Sequence, residues 1–198
     1  LWDRLRCPIY ATPFTMEILK RKLGDTNFAN DVELHELPLN GSVTIGPFEL
    51  DLITMTHSIL EPNGIAIKTP LGTVLHTGDW KFDPDPVVGE VSDEAALERL
   101  GDDGVLAIVC DSTNVFNPGH SGSESELTKD LTKIISACTG KVAVACFATN
   151  VARLATIAKV AEACGRDVVL AGRSLQRSTT AARKCGYLED IAPFLDED

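Results

Sequence analysis

The sequence predicts an α/β fold in two parts. Between residues 32 and 77 apolar and polar side chains alternate with period two, and turn pairs such as Asn40-Gly41 interrupt the runs, which predicts an antiparallel meander. Later in the chain strand-like segments alternate with helical ones, which predicts parallel pairing. The loop 117–122 is rich in Gly and Ser and separates the two patterns. We therefore predict one domain over 1–115 and a second over 116–198.

The first part contains seven predicted strands and two predicted helices. A strand at 8–12 precedes a helix at 13–23, which starts at Pro13 and ends in basic residues before Gly24. The remaining elements are meander strands at 32–39, 42–45 and 48–55, a hairpin at 65–69 and 73–77, a helix at 93–100 and a buried strand at 105–110. The last strand stops at the polar turn 111–114.

The second part repeats one theme, in which an apolar segment leads through a short polar loop into a helix. The predicted strands are 141–147 and 168–171, and the helices that follow them are 151–164 and 175–184. An earlier helix is expected after Ser123-x-x-Glu126, a pattern typical of a capping box. This order predicts parallel strands.

The composition indicates a globular protein, with 44% hydrophobic and 24% charged residues. No apolar stretch approaches the roughly 20 residues that a membrane-spanning helix needs. The six cysteines form no Cys-x-x-Cys pair and several lie in apolar runs, so we expect free, buried thiols and a cytoplasmic location. Because the chain begins at Leu1 without a signal sequence, we expect that the natural N-terminus has been removed.

The charge is unevenly distributed. The chain carries −11 overall, but residues 131–188 contain nine basic and two acidic side chains, a net +7. This basic segment could face a polyanion although the whole protein is acidic. The alternative is that these cations lie on solvated helix faces, as charge runs usually do.

Two residues are candidates for metal ligands. His57 ends a predicted strand in Thr-His-Ser, and Asp79 follows a hairpin, where Gly78 lets the backbone turn. A neutral imidazole and a carboxylate suit a borderline cation such as zinc, and a carboxylate has two oxygens with which to bridge two metals. Taken singly, each motif is equally compatible with a capped turn or a hydrogen-bonded histidine.

Six motifs in order give the chain a family resemblance. They are Pro-Ile-Tyr-Ala-Thr-Pro at 8–13, Thr-His-Ser-Ile at 56–59, His-Thr-Gly-Asp-Trp-Lys-Phe-Asp at 76–83, Cys-Asp-Ser-Thr-Asn at 110–114, Cys-Phe-Ala-Thr-Asn at 146–150 and Ala-Gly-Arg-Ser at 171–174. The set resembles the metallo-β-lactamase-fold nucleases of the β-CASP group, ribonuclease J among them. The resemblance implies part of an αββα sandwich over 1–115, followed by the start of an inserted β-CASP α/β domain.

The resemblance also implies roles for individual residues. His57 matches a metal-ligand histidine, Asp79 matches the aspartate that bridges two zinc or manganese ions, and Asp111 matches an acidic residue that helps to orient a catalytic histidine. Such a metal pair would activate water and phosphorus in RNA hydrolysis, in both 5′-to-3′ exonuclease and endonuclease modes. The family's His-x-His-x-Asp-His motif is absent from this chain, so we expect the chain alone to be inactive.

Several residues near two predicted helix starts are candidates for RNA contacts. Helix N-termini present free N–H groups to phosphates, and plain N-capping is the alternative reading. The candidates are Thr149, Asn150, Arg153, Arg173 and Ser174. We expect a single-stranded RNA substrate, no membrane partner and a homo-oligomeric full-length protein. The competing functions are a DNA-processing or messenger-RNA 3′-end nuclease of the same superfamily, and a non-catalytic RNA-binding or assembly module.

Overall fold

The computed structural model describes residues 2–195, which divide into two compact units. The first unit contains residues 2–55, Glu61–Trp80 and Ser92–Thr113, and the second contains Thr56–Leu60, Lys81–Val91 and residues 114–195. Each unit is therefore made of segments that are discontinuous in sequence. The predicted domain boundary after residue 115 stays a prediction.

The first unit opens with a small parallel sheet and its helices. The elements are α1 (Trp2–Leu5), β1 (Ile9–Ala11), α2 (Pro13–Gly24), a 3₁₀ turn at Ala29–Asp31 and β2 (Leu34–Glu36). Strands β1 and β2 pair in parallel, with Ile9 opposite Leu34. Helix α2 begins as predicted, because Pro13 occupies the first turn, where its missing N–H has no helical partner to lose.

A five-stranded mixed sheet forms the centre of the first unit. Its strands, in spatial order, are β3 (Ser42–Ile45), β4 (Phe48–Thr54), β5 (Asn63–Thr69), β6 (Gly72–His76) and β7 (Ala107–Val109). The first four are antiparallel neighbours, and β7 pairs in parallel with β6. The hairpin and the meander strands predicted at 42–45 and 48–55 are confirmed. The predicted meander strand at 32–39 is wrong in its pairing, because it forms only β2, which pairs in parallel with β1 in the other sheet.

One face of this sheet carries the core of the first unit. Helix α3 (Glu94–Asp103) starts at Asp93, whose carboxylate accepts a hydrogen bond from the Ala96 amide at 2.8 Å. Its Leu100 packs with alternate residues of the sheet strands and the residue that follows β4. The buried cluster consists of Ile53, Met55, Ala66, Leu75 and Leu100. Burial of these apolar side chains stabilises the unit.

The second unit is helical in the part that the structure describes. It contains α4 (Leu127–Ser136), α5 (Val151–Ala163) and α6 (Arg173–Lys184), and α4 and α6 both contact α5. Helix α5 is buried on most of its surface, with Val151 at 0% and Val160 at 1% exposure. A helix that is apolar nearly all round is expected at the centre of its unit.

The two strands predicted in the second unit are not formed within residues 2–195. Residues 141–147 belong to no sheet, and of 168–171 only Val169 makes an isolated parallel bridge, to Leu195. A strand needs a neighbour for its backbone hydrogen bonds, and no other strand pairs with 141–147 here. The apolar alternation is therefore left in contact with solvent, with Val144 41% and Phe147 84% exposed.

The predicted free state of the cysteines is confirmed, but their predicted burial is wrong. None of the six forms a disulfide within residues 2–195; Cys7, Cys110 and Cys138 are exposed and the other three are half-buried. Cys110 follows strand β7, whose residues are exposed, and Cys146 lies in the apolar run 141–147 that forms no strand. No helix within residues 2–195 combines the length and the apolar character required to cross a membrane.

Candidate functional site

His57 lies in the second unit, immediately after a firmly held residue. Thr56 is 4% exposed; its carbonyl accepts from the Lys81 amide at 2.9 Å, and its hydroxyl accepts from the Asp83 amide at 3.1 Å. The Thr56 hydroxyl also donates to the Lys81 carbonyl. The half-buried His57 ring has Nδ1 3.4 Å from the Ser58 hydroxyl. The backbone that carries the imidazole is thus pinned to the segment starting at Lys81.

Asp79 lies in the first unit, just beyond β6, with an exposed side chain. The preceding Gly78 has φ +63°, and a Cβ at this position would stand 2.9 Å from the Asn63 carbonyl oxygen. Both the positive φ and the close backbone approach favour glycine. The turn that presents the Asp79 carboxylate therefore depends on Gly78, as predicted.

Asp111 is fastened to residues on both sides of Asp79. Its amide donates to the Thr77 hydroxyl at 3.1 Å, and its carbonyl accepts from the Trp80 indole at 3.2 Å. Its carboxylate accepts from the Thr113 amide at 2.9 Å and the Thr113 hydroxyl at 2.6 Å, which forms a polar turn. The structure thus brings together the loops that carry the two predicted catalytic aspartates.

The imidazole of His57 and the carboxylate of Asp79 are suitable ligand types for zinc or manganese, but two ligands are too few for a complete site. Within residues 2–195 no group of three or more His, Cys, Asp and Glu side chains is arranged to hold a metal ion. A structural or catalytic zinc normally takes at least three protein ligands. The described residues therefore do not form a complete metal site.

Two of the predicted RNA-contact residues stabilise the start of α5: Asn150 caps the helix and Arg153 forms an ion pair. The Asn150 side chain accepts from the Arg153 amide at 2.9 Å, which is ordinary N-capping, and Thr149 before it is exposed. The Arg153 guanidinium pairs with both Glu124 oxygens, with Nη2 3.1 Å from Oε2. This pairing raises the pKa of Arg153 against the opposing effect of burial. Two of the guanidinium nitrogens are thus engaged within the protein.

The start of α6 differs from that of α5. Gly172 precedes the helix with φ +111° and supplies no side-chain cap, and Arg173 and Ser174 lie exposed in the first turn. Ser174 lies inside the helix and is not its N-cap. The first turn therefore presents amide groups beside an exposed guanidinium, the arrangement expected of an anion-binding helix end.

Several basic side chains of the +7 segment have partners within the second unit. Lys159 pairs with Asp190 at 2.8 Å, and Arg166 donates to the carbonyls of Cys138 and, at 2.8 Å, Gly140. Arg183 donates to three carbonyls, those of Leu188, Ile191 and Ala192, at 2.9 to 3.0 Å. The two arginines satisfy backbone carbonyls beyond helix ends and Lys159 is paired with a carboxylate, so net charge overstates the cations presented to a ligand.

Sequence reasoning missed Asp83, the most completely buried carboxylate among the described ion pairs. Its side chain is 3% exposed and lies 2.9 Å from the Lys81 ammonium. Burial would raise its pKa, but hydrogen bonds from Ser123, from Lys81 and from the amides of Asp85 and Glu124 outweigh burial and lower the pKa to about 2. The available signal was its position as the last residue of the motif at 76–83.

Comparison with known proteins agrees with the expected family. The sequence model "Ribonuclease J, beta-CASP domain" matches residues 139–197. The chain is 41% identical to a ribonuclease J of Sinorhizobium meliloti over all of its 198 residues, or 35% of that protein. It is 38% identical to a ribonuclease J of Thermus thermophilus over 92% of the chain and 32% of the relative. The chain thus spans about a third of the length of these relatives.

More distant matches extend the agreement. Ribonuclease J2 of Bacillus subtilis is 31% identical over 96% of the chain and 34% of its own length. A crystal structure of a protein of unknown function from Enterococcus faecalis superposes on 96% of the chain and 50% of its own, with a TM-score of 0.64 at 17% identity, which supports the fold alone. The α/β architecture with its mixed sheet is consistent with a metallo-β-lactamase and β-CASP fold. By these similarities the chain is a relative of the ribonuclease J proteins, corresponding to about a third of their length and including β-CASP sequence at 139–197.

Proposed function

We propose that this chain is the middle part of the catalytic region of an RNA-cleaving hydrolase with 5′-to-3′ exonuclease and endonuclease activity. The observation that carries the proposal is identity of 41% over the whole chain to a protein named ribonuclease J. The geometry supports it, because the loops of Asp79 and Asp111 are tied together through Thr77 and Trp80. Two acidic residues from different strand ends are the type of arrangement on which hydrolytic sites are built.

We further propose that the full-length protein binds two divalent cations, zinc or alternatively manganese, with His57 and Asp79 among the ligands. Support comes from the donor types and from the backbone restraint on both residues, at Thr56 and at Gly78. Further ligands must come from outside the described residues, and for the same reason we propose that the chain alone does not cleave RNA.

We propose single-stranded RNA as the substrate, contacted through the starts of α5 and α6. Arg173 is exposed in a first turn that no side chain caps, and Ser174 lies beside it. Thr149, Asn150 and Arg153 lie at the start of α5, although Asn150 and Arg153 also have partners within the protein. Phosphate contacts at helix N-termini need no base-specific groups and suit cleavage of varied sequences. We also propose that the full-length protein is a homo-oligomer and that it is cytoplasmic; the lack of disulfides among the six cysteines within residues 2–195 suits a reducing compartment.

The experiment compares substrates for the full-length protein. Purified protein is incubated with 5′-monophosphorylated single-stranded RNA, 5′-triphosphorylated RNA and DNA of the same sequence, with and without a chelator. We expect chelator-sensitive cleavage of RNA, with preference for the monophosphorylated 5′ end. Cleavage of DNA in preference to RNA would favour a DNA-processing nuclease, and salt-dependent RNA binding without cleavage would favour a binding module.

A further inference from the structure

The Asp83 carboxylate is the centre of a buried hydrogen-bond network in the second unit. Besides the Lys81 ammonium, it accepts from the Asp85 amide at 3.1 Å and from the Glu124 amide at 3.3 Å. A hydrogen bond to Ser123 contributes to its lowered pKa. A nearly buried charge with this many donors is stable only while all of them stay in place, because losing one leaves the charge poorly solvated.

In one direction the network reaches the residue before His57. The Asp83 amide donates to the Thr56 hydroxyl at 3.1 Å, and the Lys81 amide donates to the Thr56 carbonyl at 2.9 Å. Thr56 and Lys81 form an antiparallel bridge outside the named strands. Displacement of the Asp83 carboxylate would therefore be transmitted along one short segment to the backbone at His57.

In the other direction the network reaches the start of α5. The Lys81 ammonium donates to the Gly122 carbonyl at 3.3 Å, and the Ser123 hydroxyl donates to the Asp85 carbonyl at 2.9 Å. Glu124, whose amide donates to Asp83, carries the carboxylate that binds Arg153 in the first turn of α5. The loop around 122–124 is thus held on one side by Asp83 and on the other by Arg153.

We propose that Asp83 is a positioning residue, which keeps the His57 loop and the start of α5 in the arrangement needed for RNA cleavage. This inference rests on the proposed function. The physical basis is that Asp83 is hydrogen bonded to both chain segments, through its amide to Thr56 and through its carboxylate to Glu124. Its side chain is only 3% exposed, so it is too buried to contact a ligand itself. Residues that orient the groups of a catalytic site typically change activity by about 10- to 100-fold when altered.

The competing account is that Asp83 merely stabilises the fold, and a matched variant separates the two. Asp51 in the first unit is also a paired carboxylate, 2.6 Å from Lys68 and hydrogen bonded to Ser42 at 2.5 Å, and its pKa is also lowered although burial opposes the shift. Its partners lie on the sheet, outside the Asp83 network. Asp51→Asn should therefore lower stability without a change in turnover.

The test uses full-length protein, measured well below the melting temperature of every variant. Wild-type turnover on RNA is established first, so that failure of the proposed function is recognised separately. We expect Asp83→Asn to lower kcat by about 10- to 100-fold with KM within about twofold, and Asp51→Asn to leave kcat unchanged. Wild-type kcat in folded Asp83→Asn, or equal losses in both variants, would overturn the proposal.

A second measurement does not depend on activity or on the Asn variant being stable. Amide hydrogen exchange is compared between wild type and Ser123→Ala, which removes the hydroxyl that donates to the Asp85 carbonyl within the network and keeps the Asp83 charge. We expect faster exchange at Lys81 and Asp83, whose amides bond Thr56, and at Glu124. Unchanged protection at all three amides would show that the network does not couple these segments.

Discussion

The Arg153 guanidinium and the Glu124 carboxylate form a two-point ion pair between the first turn of α5 and the loop that precedes α4. The pair is partly shielded from solvent, with side-chain exposures of 33% and 13%. Paired guanidinium nitrogens are less available to a phosphate, so Arg153 has two candidate roles, one in holding this loop and one in contacting RNA.

A double-mutant cycle in the full-length protein separates these roles. If Arg153 acts through Glu124, then Glu124→Gln and Arg153→Gln should each lower kcat and the double variant should be no worse than either. If Arg153 contacts RNA, Arg153→Gln should raise KM even in the Glu124→Gln background. The kinetic constants of the four proteins decide between them, and we expect the non-additive result.

Arg173 is the better candidate for a direct phosphate contact, because it is exposed at a helix start that lacks a side-chain cap. Arg173→Ala should weaken RNA binding and reduce the slope of log K against log salt by about 0.7. Arg99, an exposed arginine in α3 outside the basic segment, provides the control, since Arg99→Ala should change neither quantity. Equal slopes for Arg173→Ala and wild type would show that Arg173 lies on a solvated helix face and does not contact phosphate.

Gly78 should be far less replaceable than Gly46, although the two have similar positive φ values of +63° and +58°. A Cβ at Gly46 meets nothing within 4 Å, whereas at Gly78 it would be 2.9 Å from the Asn63 carbonyl oxygen. We expect Gly46→Ala to cost about 1 kcal/mol of folding free energy and Gly78→Ala about 2 to 3 kcal/mol. Denaturant unfolding measures both, and equal costs would contradict the described turn. Only Gly78→Ala should also reduce cleavage.

We expect Asp83 to make the free energy of unfolding depend on pH in the acid range. Its pKa falls from 3.8 to about 2 on folding, so its contribution is complete above the unfolded pKa and is lost as pH falls toward about 2. The shift corresponds to a contribution on the order of 2 kcal/mol, of which about half should remain at pH 3. The stability difference between wild type and Asp83→Asn should therefore shrink from pH 6 to pH 3. A difference that is independent of pH would show that the carboxylate charge is not the stabilising feature.

Part of the fold was predictable because its signals are local. Strand β3 occupies the predicted residues 42–45, and helix α5 starts at the predicted Val151, since turn residues and caps act within a few positions. The prediction of a strand at 141–147 was wrong. A strand also needs a neighbouring strand for its backbone hydrogen bonds, and the alternation of apolar and polar residues does not show whether one is present. The role of Asp83 was missed for a related reason, since Ser123 and Glu124 lie about 40 residues away in sequence.

The candidate site was predictable only in part. The turn at Gly78 and the cap at Asn150 follow from residue type, whereas the assignments of His57, Asp79 and Asp111 depended on family resemblance. The internal pairing of Arg153, Arg166 and Arg183 could not be read from charge counts, because carbonyls and a distant glutamate are their partners. The net charge therefore led us to expect more cations available to a ligand than remain once these internal contacts are taken into account.

The most direct test of the central claim is made on Asp79→Asn in the full-length protein, with metal content, melting temperature and RNA turnover measured on the same sample. An amide keeps the shape of the turn but removes the charge that a bridging ligand supplies. We expect loss of bound metal and of at least 100-fold in kcat, on the order of 3 kcal/mol of transition-state stabilisation, with the melting temperature nearly unchanged. Two metals per site and near wild-type turnover in Asp79→Asn would show that Asp79 only forms the turn, and would contradict the account.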